Sequence, residues 1–388
     1  MEAVRKEGDR AVRRYTLKFD KMRLRSFEVT PKEIREAYKR IDPEVLAALR
    51  KAKANIASFA RLQKAQYQNF EETRGGVTYG QRVVPIERVG VYIPGGRYPL
   101  PSTSLMCIVP AKLAGVSEII ACSPKASLET IVAADLAGAD RIFRIGGIQA
   151  IAAMAYGTKQ VPRADKIVGP GNAYVAAAKQ YAAGLGLCGI DLPAGPSEVF
   201  IIADAKANPA YIAADLLAQL EHDPDAKATL VSPSQKLLDA ARQSLEAQMK
   251  NLTTRDIIRL SLGKSVWKRV RSLDAAVEYA NEIAPEHLEI QVENPDALIP
   301  QLTSYGSLFI GGEAAEVFGD YCSGPNHVLP TGGAARFTGG LSVGSYLKLL
   351  TYQKLTPEGV RKLAPVAATL ARAEGLDAHR NAAEIRMK

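Results

Sequence analysis

The chain has 388 residues, enough for two to three domains and a sizeable core. Its 47% apolar and 23% charged content is that of a soluble globular protein. The net charge of +9, from 50 Lys and Arg against 41 Asp and Glu, is spread without a clustered patch, which disfavours nucleic acid and suits an anionic cofactor.

The first residues, Met1-Glu2-Ala3-Val4-Arg5-Lys6, are charged and hold no apolar signal core. No apolar run approaches the ~20 residues needed to span a bilayer. Four cysteines (Cys107, Cys122, Cys188, Cys322) are far apart and form no Cys-x-x-Cys pair, which argues against a disulfide framework and a cysteine-rich zinc site. These features predict a cytoplasmic protein with neither nucleic acid nor membrane as partner. Residues 1–80 read mostly as helix. Thr30-Pro31-Lys32-Glu33 is a capping box with proline at the first helical position. Asp42-Pro43-Glu44 repeats the signal before a run to Gln66 rich in Ala, Leu, Lys and Arg.

From Arg88 the pattern changes to short apolar strands separated by alanine-rich helices. Candidate strands are Val89–Ile93, Glu118–Cys122, Arg141–Ile145, Lys166–Val168, Val199–Ala203, Ala228–Ser232 and Ser307–Ile310, with helices such as Leu128–Ala137 and Ala173–Ala182 between them. This alternation predicts an α/β fold with parallel sheets, whose ligands sit at the carboxyl ends of the strands. Glycines cluster at those ends: Tyr92-Ile93-Pro94-Gly95-Gly96, Gly146-Gly147-Ile148-Gln149 and Gly169-Pro170-Gly171-Asn172. None is a Gly-x-Gly-x-x-Gly fingerprint, but three in succession after strands favour a nucleotide site. The Gly/Pro-rich turn 187–199 reads as a crossing between domains. Residues 233–306 read as helix-rich, and Gly319 to Gly344 as a glycine-dense loop too long to be a mere connection. From Tyr346 the tail reads as helical, and its ~40 residues are too few to close a core of their own.

Only four histidines occur, each near Glu, Asp, Gln or Asn: His222, His287, His327 and His379. Gln219 and His222 are three apart, so a helix places them on one face. With Asp320 and His379 they form a mixed nitrogen and oxygen set that suits zinc, and manganese or cobalt equally by ligand type. Spacing alone does not select metal binding; a helix-surface His222 and a turn-forming Asp320 account for it as well. Glu286-His287 after Pro285 offers an acid–base pair or, read plainly, an exposed turn. Cys107 and Cys122, in apolar surroundings without a nearby histidine, read as packing residues rather than nucleophiles.

Taken together these motifs resemble the histidinol dehydrogenase family. The match runs in unbroken order from Glu7-Gly8-Asp9 to His379. It includes Val91–Gly96, Gly146–Ile151, Val168–Asn172, Asp191–Glu198, Gln219-x-Glu221-His222, Ala284–Glu289, Gly319-Asp320-Tyr321 and Gly324-x-Asn326-His327. It begins inside the family's N-terminal helical region, so that segment is expected to be shorter here. The resemblance implies zinc, one per subunit, on Gln219, His222, Asp320 and His379. Glu286 and His287 would be the acid–base residues, and Ser197, His327 and Glu374 would contact substrate beside Gln219, His222, His287, Asp320 and His379. Tyr92, Gln149 and Asn172 would contact NAD, of which two are used per turnover.

The implied reaction is oxidation of L-histidinol through L-histidinal to L-histidine, the last steps of histidine biosynthesis. The implied fold is two incomplete Rossmann-like domains, one inserted in the other. Residues 1–88 and 200–345 would form the substrate and zinc domain, 89–199 the inserted NAD domain, and 346–388 a helical dimerisation tail. That tail would be exchanged in a homodimer, with His379 completing the partner's zinc site. The runner-up keeps the zinc- and NAD-dependent chemistry and changes the substrate to another small amino alcohol or diol. A zinc hydrolase would act without NAD, and a basic nucleic-acid binder would leave the histidines unexplained.

Overall fold

The computed structural model describes residues 1–95, 98–192 and 195–387. Gly96, Pro193 and Ala194, which belong to two of the motifs above, lie outside the described residues. The chain divides into two compact units, Met1–Gln63 with Ile86–Tyr346, and Lys64–Pro85 with Leu347 onward. In chain order, β1 (Phe70–Arg74) and β2 (Val77–Pro85) form a hairpin in the smaller unit. In the larger unit, β3 (Arg88–Tyr92), β4 (Glu118–Cys122), β5 (Arg141–Phe143), β6 (Lys166–Val168) and β7 (Gly189–Ile190) build one sheet. A second holds β8 (Glu198–Ala203), β9 (Lys227–Ser232), β10 (Val266–Arg269), β11 (His287–Gln291) and β12 (Ser307–Ile310). β13 (Leu347–Leu355) returns to the smaller unit.

Both five-stranded sheets are parallel throughout. Their orders, β5-β4-β3-β6-β7 and β10-β9-β8-β11-β12, are the same pattern, 3-2-1-4-5 counted from each sheet's own first strand. Burial on both faces explains why the central strands are apolar runs: all six residues of β8 are buried. Alternate residues of β8 feed opposite layers. Val199 and Ile201 pack with Leu216, Leu230 and Leu238, while Phe200 and Ile202 pack with Val277, Leu288 and Ile290. In the first sheet, Tyr92, Ile120 and Phe143 pack with Ile151, Val175 and the N-terminal Val4, Val12 and Phe27. The capping box forms as its sequence predicts: the Thr30 hydroxyl accepts from Glu33 N, and Thr30 N donates to the Glu33 carboxylate at 2.8 Å.

One glycine is decided by close approach. Gly169 follows β6 at φ +110°, and a Cβ there would lie 2.1 Å from the Tyr92 carbonyl oxygen. The ends of β3 and β6 therefore touch through bare backbone, which joins two of the expected cofactor motifs.

The predicted helical character of the N-terminal and C-terminal stretches is corrected in the smaller unit. Residues 70–85 are the β1–β2 hairpin, and the tail begins with a nine-residue strand, β13, paired antiparallel along the whole of β2. The helices Pro357–Ala373 and Asp377–Glu384 follow it. β2 is half-buried and β13 largely exposed, so neither carries the continuous apolar signal that marks a buried strand, and each needs the other as partner. Among the described residues, no helix is long and apolar enough to cross a membrane.

Candidate active site

β11, read from sequence as part of a helix-rich stretch, organises the site. Its residues alternate His287, Glu289, Gln291 on one face and Leu288, Ile290 on the other. All five are buried, so the polar face is buried as fully as the apolar one. Two helices pack polar residues against it. Helix Pro209–Leu220, capped by Asn208, carries Asp215 and Gln219 four residues apart, both buried. The short helix Glu316–Tyr321 carries Glu316 and Asp320, also four apart and buried. Residues at that spacing share a helix face. A Cβ on Gly319 would lie 2.6 Å from the Phe309 ring, so its absence lets this helix seat directly on β12.

His287 sits where these elements meet. Its Nδ1 lies 3.3 Å from Gln219 Oε1, 3.3 Å from Glu316 Oε1 and 3.8 Å from Glu286 Oε2, and its Nε2 lies 3.7 Å from Asp320 Oδ1. Glu286 accepts from the Ser197 hydroxyl at 2.6 Å and from Glu198 N at 3.0 Å. His222, just past the helix that carries Gln219, reaches Asp320 with Nε2 3.9 Å from Oδ2 and keeps 41% of its side chain exposed. The His327 ring donates from Nδ1 to the Asp320 carbonyl at 2.7 Å, while its Nε2 is 3.3 Å from Thr103 Oγ1. Thr103 opens the helix that follows β3, so the site borders the carboxyl end of the first sheet.

Burial dominates the titration. It pushes the Glu286 carboxyl up to about 8, against the opposing hydrogen bonds from Ser197 and Glu198. It pushes His287 down to about 4, against the Asp320 carboxylate. Glu316 rises well above the usual carboxyl range through burial and the neighbouring Asp320 and Glu289 charges. Asp215 and Glu289 also rise, and Gln291 Nε2 donates to both at 3.0 Å.

Seven expected site residues are thus brought together: Ser197, Gln219, His222, Glu286, His287, Asp320 and His327. Glu286 and His287 are buried, not an exposed turn. Tyr92, Gln149 and Asn172 lie at the strand ends of the first sheet. Tyr92 closes β3, its hydroxyl accepting from Gly147 N at 3.1 Å. Gln149 is buried in helix Gly147–Tyr156, and Asn172 caps helix Ala173–Gly184 through Tyr174 N and Val175 N. Gly171 separates β6 from that cap. Glu374 and His379 belong to the smaller unit, at the end of helix Pro357–Ala373 and within Asp377–Glu384, both exposed. Cys107 and Cys122 are fully buried, and burial raises their thiols, as packing residues require.

One expectation needs correction. The cluster around Glu286 and His287 lies at the amino ends of the second sheet's strands: Ser197 precedes β8 and Glu286 precedes β11. The carboxyl-end rule therefore does not describe this sheet. Gln219 and His222 come from the carboxyl end of a helix running back along β8, which delivers them to the strand starts.

Sequence reading missed Asp215, Glu289, Glu316 and Thr103. The signal for the first three was spacing: Asp215 four before Gln219, Glu316 four before Asp320, and Glu289 two after His287.

The donor set was tested against a metal. His287, Glu316 and Asp320 each offer an atom within 4.8 Å of the others, and His222 and Gln219 flank them. The ion-pair partners of these carboxyls are imidazoles rather than lysine or arginine. Gln219 Nε2, His287 Nε2 and Glu316 Oε2 are buried without a hydrogen-bond partner. Buried carboxylates, imidazole and amide oxygen lacking positive charge fit a divalent cation.

A model of the histidinol dehydrogenase family matches residues 1–387. A histidinol dehydrogenase of Xylella fastidiosa is 46% identical over 392 aligned positions, covering 100% of this chain and 91% of that protein. One of Methanosarcina mazei is 45% identical over 381, covering 97% and 88%. The crystal structure of histidinol dehydrogenase from Elizabethkingia anophelis superposes with a TM-score of 0.95 at 40% identity, covering 100% of this chain and 90% of that one. A succinate-semialdehyde dehydrogenase from Burkholderia pseudomallei, 13% identical with a TM-score of 0.53 over 83% of this chain and 84% of that one, shares the fold alone.

Proposed function

The chain belongs to the histidinol dehydrogenase family and is an oxidoreductase with that family's activity; from this premise we propose how its residues carry the reaction. The substrate is L-histidinol, taken through L-histidinal to L-histidine with two NAD per turnover and one zinc per subunit. The observation that carries the reading is the cluster around His287: a buried imidazole with one nitrogen free of hydrogen bonds, beside a buried carboxyl and a set of metal-type donors.

Gln219, His222 and Asp320 would hold the zinc with His379 of a second copy, as the family resemblance implies. Bound zinc and NAD supply, respectively, a fixed point for the substrate's imidazole and amine and an acceptor for hydride. The chain's own groups do the rest. His287 takes the hydroxyl proton at Nε2, the nitrogen that faces Asp320. Its depressed basicity suits an acceptor that must be neutral before each oxidation. Glu286, held by Ser197 and Glu198 N, orients and deprotonates the water that hydrates the aldehyde. That step needs the ionised carboxylate, which positive charge beside Asp320 favours over the protonated form that burial alone imposes. His327 and Glu374 would bind the substrate's polar ends.

Tyr92, Gln149 and Asn172 would line the NAD site at the switch point of the first sheet, between β3 and β6. The doubly wound 3-2-1-4-5 order supports a Rossmann-like reading of both sheets. On this reading residues 89–199 are the cofactor domain, 1–88 and 200–345 the substrate domain, and 346–388 a tail exchanged in a homodimer. A cytoplasmic setting fits a biosynthetic enzyme with unpaired cysteines.

The division of labour is testable. Glu286→Gln is expected to slow oxidation of supplied L-histidinal on the order of a hundredfold while slowing histidinol-to-histidinal conversion far less. Stopped-flow NADH traces from each substrate measure the two halves separately. Unchanged histidinal oxidation would remove Glu286 from the water step.

A further inference from the structure

We propose that Glu316 is the positioning residue of the base: its carboxylate accepts a hydrogen bond from His287 Nδ1–H, which fixes the ring proton on Nδ1 and leaves Nε2 as the free lone pair facing the substrate. The inference rests on His287 being the base, as argued above, and adds the group that makes it one.

A histidine is a base at one nitrogen only when something fixes its proton on the other. Three oxygens approach His287 Nδ1. Glu286 Oε2 is the farthest, at 3.8 Å, and already accepts from Ser197 and Glu198. Gln219 Oε1, also at 3.3 Å, is a neutral amide oxygen and the weaker acceptor. Glu316 Oε1, at 3.3 Å on a side chain as buried as His287 itself, is the remaining charged acceptor. Positive charge beside Asp320 favours its ionised form over the protonated one that burial alone imposes.

Glu316 is held on its other side by the same strand. Its backbone N–H donates to Glu289 Oε1 at 3.2 Å, and Glu289 Oε2 accepts from Gln291 Nε2 at 3.0 Å. Gln291 Nε2 also donates to Asp215, at 3.0 Å. The polar face of β11 is therefore a ladder in which Gln291 braces Glu289, Glu289 braces the start of the Glu316 helix, and Glu316 braces His287. Asp320, one turn further along that short helix, faces His287 Nε2. A single rigid turn thus presents a proton acceptor to one ring nitrogen and a metal-type donor near the other. A buried carboxylate that orients a catalytic imidazole and sets its tautomer is an established catalytic device. Here it comes from a different element than the base.

Glu316 is also near enough to Asp320 to be a metal ligand instead, so the test must separate the two. The experiment uses zinc-loaded wild type, Glu316→Gln and Glu316→Asp, the last keeping the charge in case the amide disturbs the fold. Three quantities are read: zinc per chain, kcat and KM for histidinol and for histidinal, and the ring 15N shifts of His287. The chain has only four histidines, and His287→Gln assigns the signal. The expected result is that Glu316→Gln keeps its zinc and its KM values within about twofold. Its kcat falls on the order of a hundredfold in both halves, and His287 passes from Nδ1-protonated to a mixture of tautomers. Glu316→Asp recovers part of kcat. Loss of zinc in step with activity would make Glu316 a ligand and overturn the proposal. An unchanged kcat, or a reduced kcat with an unchanged 15N pattern, would overturn it as well. If wild type forms no NADH from histidinol, the functional reading fails instead, and the nitrogen pattern still decides the role of Glu316.

Discussion

His287→Ala is expected to lower kcat for both oxidations by about a thousandfold, roughly 4 kcal/mol of transition-state stabilisation. Both halves should suffer because each removes a proton from an oxygen as hydride leaves, and the proposed base is this buried imidazole with a free nitrogen at the cluster. KM for histidinol should change little, since His287 is one of several proposed substrate contacts and the remaining ones stay in place. The fold should survive: the ring occupies the first position of β11, where it tilts against Phe309 at 6.0 Å between centroids rather than filling the apolar core. His287→Gln, nearer in volume and still polar, serves as the control for packing. Steady-state rates with histidinol and with histidinal decide the matter. A variant that loses only one half, or that loses zinc as well, would contradict the assignment.

Asp320→Ala is expected to be inactive because it removes the carboxylate that faces both His222 Nε2 and His287 Nε2. Zinc should fall from about one per chain to a small fraction of that, because three remaining ligands of which one is an amide make a weak site. His379→Ala should be equally inactive, and the two variants test the shared-site proposal together. If His379 serves a second copy, mixing the two inactive proteins under conditions of subunit exchange should yield heterodimers in which one site has both Asp320 and His379. Such mixtures should recover up to about a quarter of wild-type activity, half of the molecules being mixed and each carrying one intact site. The measurement is activity against mixing time, with exchange followed by mass-tagged subunits. No recovery after verified exchange would remove His379 from the partner's site.

The parts of the fold legible in sequence were those whose partners are local. β4 and β6 were read with the bounds they have, and β12 likewise, because short apolar runs between glycines admit few alternatives. The capping box at Thr30 formed as its spacing required. β11 was missed although its alternation is clear. A period of two with polar residues on one face normally marks a strand with one side in water. Here that side faces Gln219, Glu316 and Asp320, residues remote in sequence, so the burial of His287 and Glu289 was invisible until the helices were in place. The same reason hid β2 and β13. β2 is half-buried and β13 exposed, and each is stabilised by the other from far away in the sequence. Ser197, Gln219, His222, Glu286, His287, Asp320 and His327, named through their motifs, do come together, but the position of that cluster at the amino ends of the second sheet was not legible. It follows from a helix that runs back along β8 to drop Gln219 and His222 beside the start of β11.

The most direct test of the account is the number of NADH formed per L-histidinol at substrate exhaustion, with and without prior chelation. The account predicts two, lost on chelation and restored by zinc. One NADH per histidinol would contradict a double oxidation at one site. Turnover of other amino alcohols but not histidinol would contradict the substrate, and product formed without NAD would contradict the dehydrogenase chemistry altogether.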